Sequence, residues 1–149
     1  MNKYWIVVAD ASRARLFARR KKFSPLEEVE SLVHPESRLR RQDLVSDRPG
    51  QVQESRTPGE YAAEEGTDPK EVEAQTFARE LARRLHEAHA AGEFEHLVLL
   101  AEPHFLGQLR KRLDGRTASA VVARVAVNLT REDIAHITKR ADSALESPD

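Results

Sequence analysis

The run "HLVLLAE" (96–102) places five consecutive apolar residues, Leu97 to Ala101, between polar neighbours. It is too short for a typical helix and shows no alternation, so it reads as a strand buried on both faces. "YWIVVAD" (4–10) is a second apolar, β-branched run of strand length. Between the two lies "DPKEVEAQTFARELARRLHEAHAAG" (68–92). Ala74, Phe77, Ala78, Leu81, Leu85 and Ala88 form one stripe at helical spacing. Asp68 suits the N-cap, Pro69 the first helical position, Glu71 the capping-box position and Gly92 the stop.

The remaining segments fit around these. After Asp10 the chain turns at "DAS" and resumes as "RARLFAR", with Arg13 and Arg15 on one side and Ala14 and Leu16 on the other. "LEEVESLVH" reads as a third strand, although Leu26, Val29 and Leu32 do not alternate cleanly. Pro103 ends the 96–102 strand and opens the helix "PHFLGQLRKRL". "VVARVAVNL" is the last strand, with a little helix before it, and Thr130 is the expected cap of "REDIAHITKRADSAL", with Asp133 at the capping-box position. From about 37 to 67 nothing is periodic, and this segment reads as a long polar loop. The order predicts a single α/β domain over 1–149. Its mixed β-sheet starts as an N-terminal antiparallel meander and continues as βα units, with helices packed on it.

Few kinds of chemistry have the residues they need. The chain has no cysteine, which excludes disulfides, thiolate metal sites and cysteine nucleophiles. No clustered-glycine phosphate loop, Walker motif or GxSxG elbow occurs. Asp10, Ser12 and His104 have no spacing that singles them out as a triad. His86 and His89 are three apart on the long helix, but they share a charged face near its C-terminus, where histidine complements the helix dipole. No metal site and no cofactor is expected. "MNKYWIVVADASRARLF" has too short an apolar run before Asp10 for a signal peptide or a membrane span, so the expected location is cytoplasmic.

Charge is uneven although the net charge is only −1. Arg13, Arg15, Arg19, Arg20, Lys21 and Lys22 crowd the second strand and the turn after it, and Arg38, Arg40, Arg41 and Arg48 lie in the loop. Such residues either protect and solvate an edge or neutralise phosphates of a nucleic acid. Aromatic residues make up 5% of the chain, which favours backbone or shape contacts over sequence-specific single-strand readout.

"WIVVADASRARLF", "LEEVESLVHPESRLRRQDLVSDRPGQ", "TDPKEVEAQTFARELARRL" and "LVLLAEPHFLGQLRKRL" together resemble the bacterial host attachment family, across nearly the whole chain. That family is in turn similar in topology to the middle domain of archaeal and eukaryotic peptide chain release factors. The resemblance implies a ribonuclease H-like and ribosomal-protein-like topology. In release factors a loop carrying Gly-Gly-Gln reaches the ribosomal peptidyl-transferase centre, where the glutamine helps water attack the peptidyl-tRNA ester. "DRPGQ" puts Asp47, Arg48, Pro49, Gly50 and Gln51 in the corresponding loop. Here Pro49 stands in place of the first glycine and restricts φ. The resulting expectation is a non-enzymatic binding module whose hairpin and loop contact RNA, with rRNA, the ribosome or tRNA as partner. Two alternatives stand beside it: release-factor-like hydrolysis using Gln51, and a module that acts on attachment indirectly through an unidentified protein.

Overall fold

The computed structural model describes residues 3–34 and 68–146. Strand β1 (Tyr4–Ala9) pairs antiparallel with β2 (Arg13–Arg19), which pairs antiparallel with β3 (Glu27–Val33). Helix α1 (Pro69–Ala90) leads into β4 (His96–Ala101), which lies parallel to β1. Helices α2 (Pro103–Arg112) and α3 (Gly115–Ala120) then lead into β5 (Val121–Ala126), parallel to β4, and α4 (Ile134–Glu146) follows. The five-stranded sheet has the order β3-β2-β1-β4-β5. The expected mixed α/β sheet, meander first and βα units after, is the observed one.

All six residues of β1 are buried, as are all of β4 except its first. Side chains alternate between the two faces of a strand, so each face needs its own cover. Trp5, Val7, Leu16, Leu97 and Leu99 pack beneath the α1 stripe and Phe105 and Leu109 of α2. The Phe77 and Phe105 rings stack at 5.6 Å where the two helices meet. Tyr4, Ile6, Val8, Phe17, Val98 and Leu100 face the opposite way, toward Ile137, Ala141 and Leu145 of α4. At 1.5 Å per residue, the 22 residues of α1 reach about 33 Å, enough to cross the sheet.

Local chemistry sets most element ends. Asp68 accepts from the Lys70 N–H, and Pro69 follows it at the first helical position. Gly92, at φ 77°, stops α1, with its N–H on the His89 carbonyl and that of Glu93 on the Ala88 carbonyl. Glu102 caps α2 by accepting from the His104 and Phe105 N–H groups. A bulge explains the uneven pattern of the third strand. Leu16 faces Glu30 and Phe17 faces Glu28, which leaves Val29 unpaired. Leu26 therefore packs toward α4 while Leu32 packs toward α1.

Two expected caps are corrected. Helix α4 begins at Ile134, and it is Asp133 that accepts from the His136 N–H at 2.9 Å. Thr130 is buried instead and binds the β1–β2 hairpin. The Glu71 carboxylate does not reach back to its own helix start but bonds to His104 and Gln108 of α2. In both cases a tertiary partner outcompetes the local one.

Arg19 carries the costliest burial. Its side chain is fully enclosed between β2 and α4, and it donates to Asp142 at 2.7 Å and to the Ser24 carbonyl at 3.3 Å. Its Nε and Nη2 have no hydrogen-bond partner among the described residues. Removing Asp142 strands a fully enclosed charge, whereas removing Arg19 leaves an Asp142 side chain that is 32% exposed and can be solvated. Asp142→Ala is expected to lower unfolding free energy by about 3 kcal/mol or more, while Arg19→Met retains or raises it. Urea denaturation of the two variants checks the asymmetry.

Candidate functional site

The structure separates the basic residues that the sequence groups together. Because β2 alternates, Arg13, Arg15, Phe17 and Arg19 all share the face toward α4. Arg15 forms a two-pronged pair with Glu28, at 3.1 and 3.2 Å, and donates to the Thr130 and Glu132 carbonyls. It also lies 5.1 Å from the centre of the Phe17 ring. With Arg19 enclosed against Asp142, these two arginines hold the sheet to the β5–α4 connection and to α4. Both guanidinium groups face acidic and carbonyl partners within the fold, whereas Arg20, Lys21 and Lys22 face outward. Arg13 is half-buried at the opposite end of β2 from Arg20, Lys21 and Lys22, all of which are exposed. Arg38, Arg40, Arg41, Asp47, Arg48, Pro49, Gly50 and Gln51 lie outside the described residues.

The exposed cations sit on a defined turn. The Ser24 N–H donates to the Lys21 carbonyl, and the Ser24 hydroxyl accepts from the Lys21 N–H, both at 3.2 Å. Lys22 and Phe23 are therefore the central residues of a β-turn, whose side chains project away from the sheet. Phe23 is 52% exposed, the most exposed large hydrophobic residue among those described, and the Lys22 ammonium lies 5.5 Å from its ring centre. The Ser24 carbonyl is held by Arg19, so the turn is tied to α4 through Asp142. Arg20, Lys21 and Lys22 make no ion pair among the described residues. The groove beneath the turn, about 370 Å³, has Lys3 and Arg20 on its wall but also Glu27 and Glu93. Arg19 also lines it but is paired with Asp142, and further exposed cations lie on the turn itself. "RRKKF" signals this arrangement only weakly, because sequence alone does not show whether Phe23 points in or out.

The other end of the sheet gathers polar side chains at the C-terminal ends of β1, β4 and β5. Asp10 accepts from the Ser12 and Arg13 N–H groups with one oxygen, and from Asn128 and Thr130 with the other. The carboxylate clasps the hairpin to the β5–α4 connection through three N–H donors, with the Thr130 hydroxyl shared between it and Asn128 Oδ1. The Asp10, Ser12 and His104 side chains make no triad: Asp10 uses backbone and Asn128/Thr130 partners, and His104 binds Glu71. His86 accepts from the Asp114 N–H, and His89 packs on Phe94 at 5.2 Å.

Glu71 joins the start of α1 to α2, with its carboxylate bonded to His104, Gln108 and Gln75. Arg112 holds Gln108 through its side-chain and backbone oxygens. The hydrogen bond from His104 lowers the Glu71 pKa from its ordinary 4.5. Gln75 and the charges of His104 and Lys111 help, against partial burial.

These features define a three-layer α/β domain with a locked polar edge at one end of its sheet and an exposed cationic aromatic turn at the other. The family model described as "protein required for attachment to host cells" matches residues 5–140, and the chain belongs to that family. No curated protein matches the chain. Among solved structures it is similar to an archaeal translation termination factor, with 13% identity and a TM-score of 0.45 over 97% of this chain and 39% of that one. It is similar also to an archaeal protein, with 12% identity and a TM-score of 0.46 over 97% of this chain and 36% of that one. The chain thus spans less than half the length of either. No helix among the described residues is long and apolar enough to cross a membrane.

A carboxylate held below its unfolded pKa stabilises the fold above that unfolded value, and the contribution is lost as pH falls through the lowered one. The stability advantage of the wild type over Glu71→Gln is therefore expected to be full above about pH 4.5 and to vanish on further acidification. In His104→Ala, NMR titration should find the Glu71 carboxyl moved back toward 4.5.

Proposed function

We propose that this member of the host attachment family is a non-enzymatic binding module that contacts single-stranded RNA through the β2–β3 turn. The observation that carries the reading is Phe23, exposed at the tip and flanked by three cations without acidic partners. A base stacks on such a ring regardless of its identity, while the adjacent ammonium and guanidinium groups meet the phosphates on either side. Stacking on an aromatic side chain contributes about 1–3 kcal/mol per base. RNA is the fitting polymer because its unpaired loops and ends present splayed bases. The arginines that fasten the hairpin to α4 serve this role indirectly, by holding the turn at a fixed angle.

Binding of a short fluorescent uridine oligomer, followed by anisotropy across a salt series, tests the reading. Phe23→Ala should weaken binding by about tenfold with the salt dependence unchanged. Lys21→Ser with Lys22→Ser should flatten the log–log salt slope by about 0.7 per cation removed. Absence of saturable binding at low salt, or an unchanged affinity in Phe23→Ala, would sink the proposal.

A further inference from the structure

A second group of cations lies on the other flank of the molecule, and the sequence does not mark it. Arg110 and Lys111 end α2, and Arg124 sits on the edge strand β5, paired in register with Leu99. All three are exposed, and all three line one open groove of about 500 Å³ between α2, α3 and β5. None makes a salt bridge or hydrogen bond among the described residues. Lys111 reaches Glu71 only as a minor part of the field that lowers its pKa. Asp114, three residues beyond Lys111, caps α3 through the Thr117 N–H at 2.8 Å. Three cations without an acidic partner among the described residues thus line one concavity. Cations gathered along one concave wall raise the local concentration of anions.

The floor of the groove narrows the class of anion. It is made of Leu113 and Val121 with Leu99 beneath, and it has no side-chain donor or acceptor. Such a floor accepts a flat or aliphatic surface and does not read polar edges. A phosphate monoester carries about two negative charges near neutral pH, and a diphosphate carries more. Concentrated charge of that kind matches three cations on one groove better than the single charge that each nucleotide adds along a strand. We infer that this groove binds a small phosphorylated ligand of the nucleoside diphosphate class, with its phosphates on Arg110, Lys111 and Arg124 and its base on Leu113 and Val121. The site is separate from the β2–β3 turn and does not depend on the RNA reading.

Gly107 supplies a clean test. It lines the groove from α2, and a Cβ built there meets nothing within 4 Å. Replacing a helical glycine also removes a propensity penalty, so Gly107→Glu adds a negative charge to the groove without loosening the fold. Calorimetric titration of the full chain uses ADP, pyrophosphate and adenosine as probes. ADP should bind saturably and more tightly than either fragment. Gly107→Glu and Arg124→Ser should each weaken ADP by about tenfold or more, with the thermal midpoint not lowered in Gly107→Glu. Phe23→Ala should leave ADP affinity unchanged. Failure of ADP to saturate, indifference to both groove substitutions, or pyrophosphate binding as tightly as ADP would overturn the assignment. So would an RNA oligomer that occupies the groove where ADP does not bind.

Discussion

Strands β1 and β4 lie side by side at the centre of the sheet with both faces inaccessible to water. An apolar pair of this kind cannot be left bare on either side, so one helix layer is not enough. Helices α1 and α2 cover Trp5, Val7, Leu97 and Leu99, and α4 covers Ile6, Val8, Val98 and Leu100. Their backbone groups need partners too, which β2 and β5 provide on the outer sides. The three-layer architecture and the parallel run of β1, β4 and β5 follow from that double burial. So does the gathering of Asp10, Glu102 and Asn128 at one end of the sheet, because parallel strands terminate together.

Cover on the α4 side is partial, and arginine completes it. α4 lies over β1 and β4, while the outer part of β2 carries Arg15 and Arg19 rather than leucine. Long side chains of this type bury their stems and carry a charge that must be met. Arg15 is met by Glu28 and two carbonyls, and Arg19 by Asp142 and Ser24. The result is a mechanical link from β2 to α4 and from there to the β2–β3 turn. A stretch that looks like one basic patch therefore divides into a structural half, directed inward, and a surface half at Arg20 to Lys22. The paired half is largely neutralised, so on this hairpin the unpaired charge lies on the turn, and the α2–β5 groove carries a separate group.

The polar edge shows the same principle with opposite sign. Asp10 and Glu71 are carboxylates of the sort that invite a catalytic reading, and both are engaged by side chains and N–H groups of the fold. Asp10 closes a turn and ties two connections together. Glu71 joins the first turn of α1 to α2. Multiple hydrogen bonds to fixed donors make such groups good fasteners.

Much of the fold was legible in the chain. The apolar runs of β1 and β4, the α1 stripe, the Asp68–Pro69 start, the Gly92 stop and the Pro103 helix start are all local signals, set by contacts within a few residues. Short-range sterics and solvation act the same way in any context, which is why those elements and their order could be read directly. The bulge at Val29, the buried place of Thr130 and the diversion of Glu71 to α2 were not readable, because each depends on a partner remote in sequence. Arg19 and Asp142 are 123 residues apart, and nothing in "RARLFARRKK" reveals which of its cations such a partner will claim. The sequence by itself determined the secondary-structure elements, their order along the chain and the supply of charge. Only the tertiary structure decided which charges are spent on one another and which are left at Phe23 and in the α2–β5 groove, because pairing requires approach in space and periodicity does not.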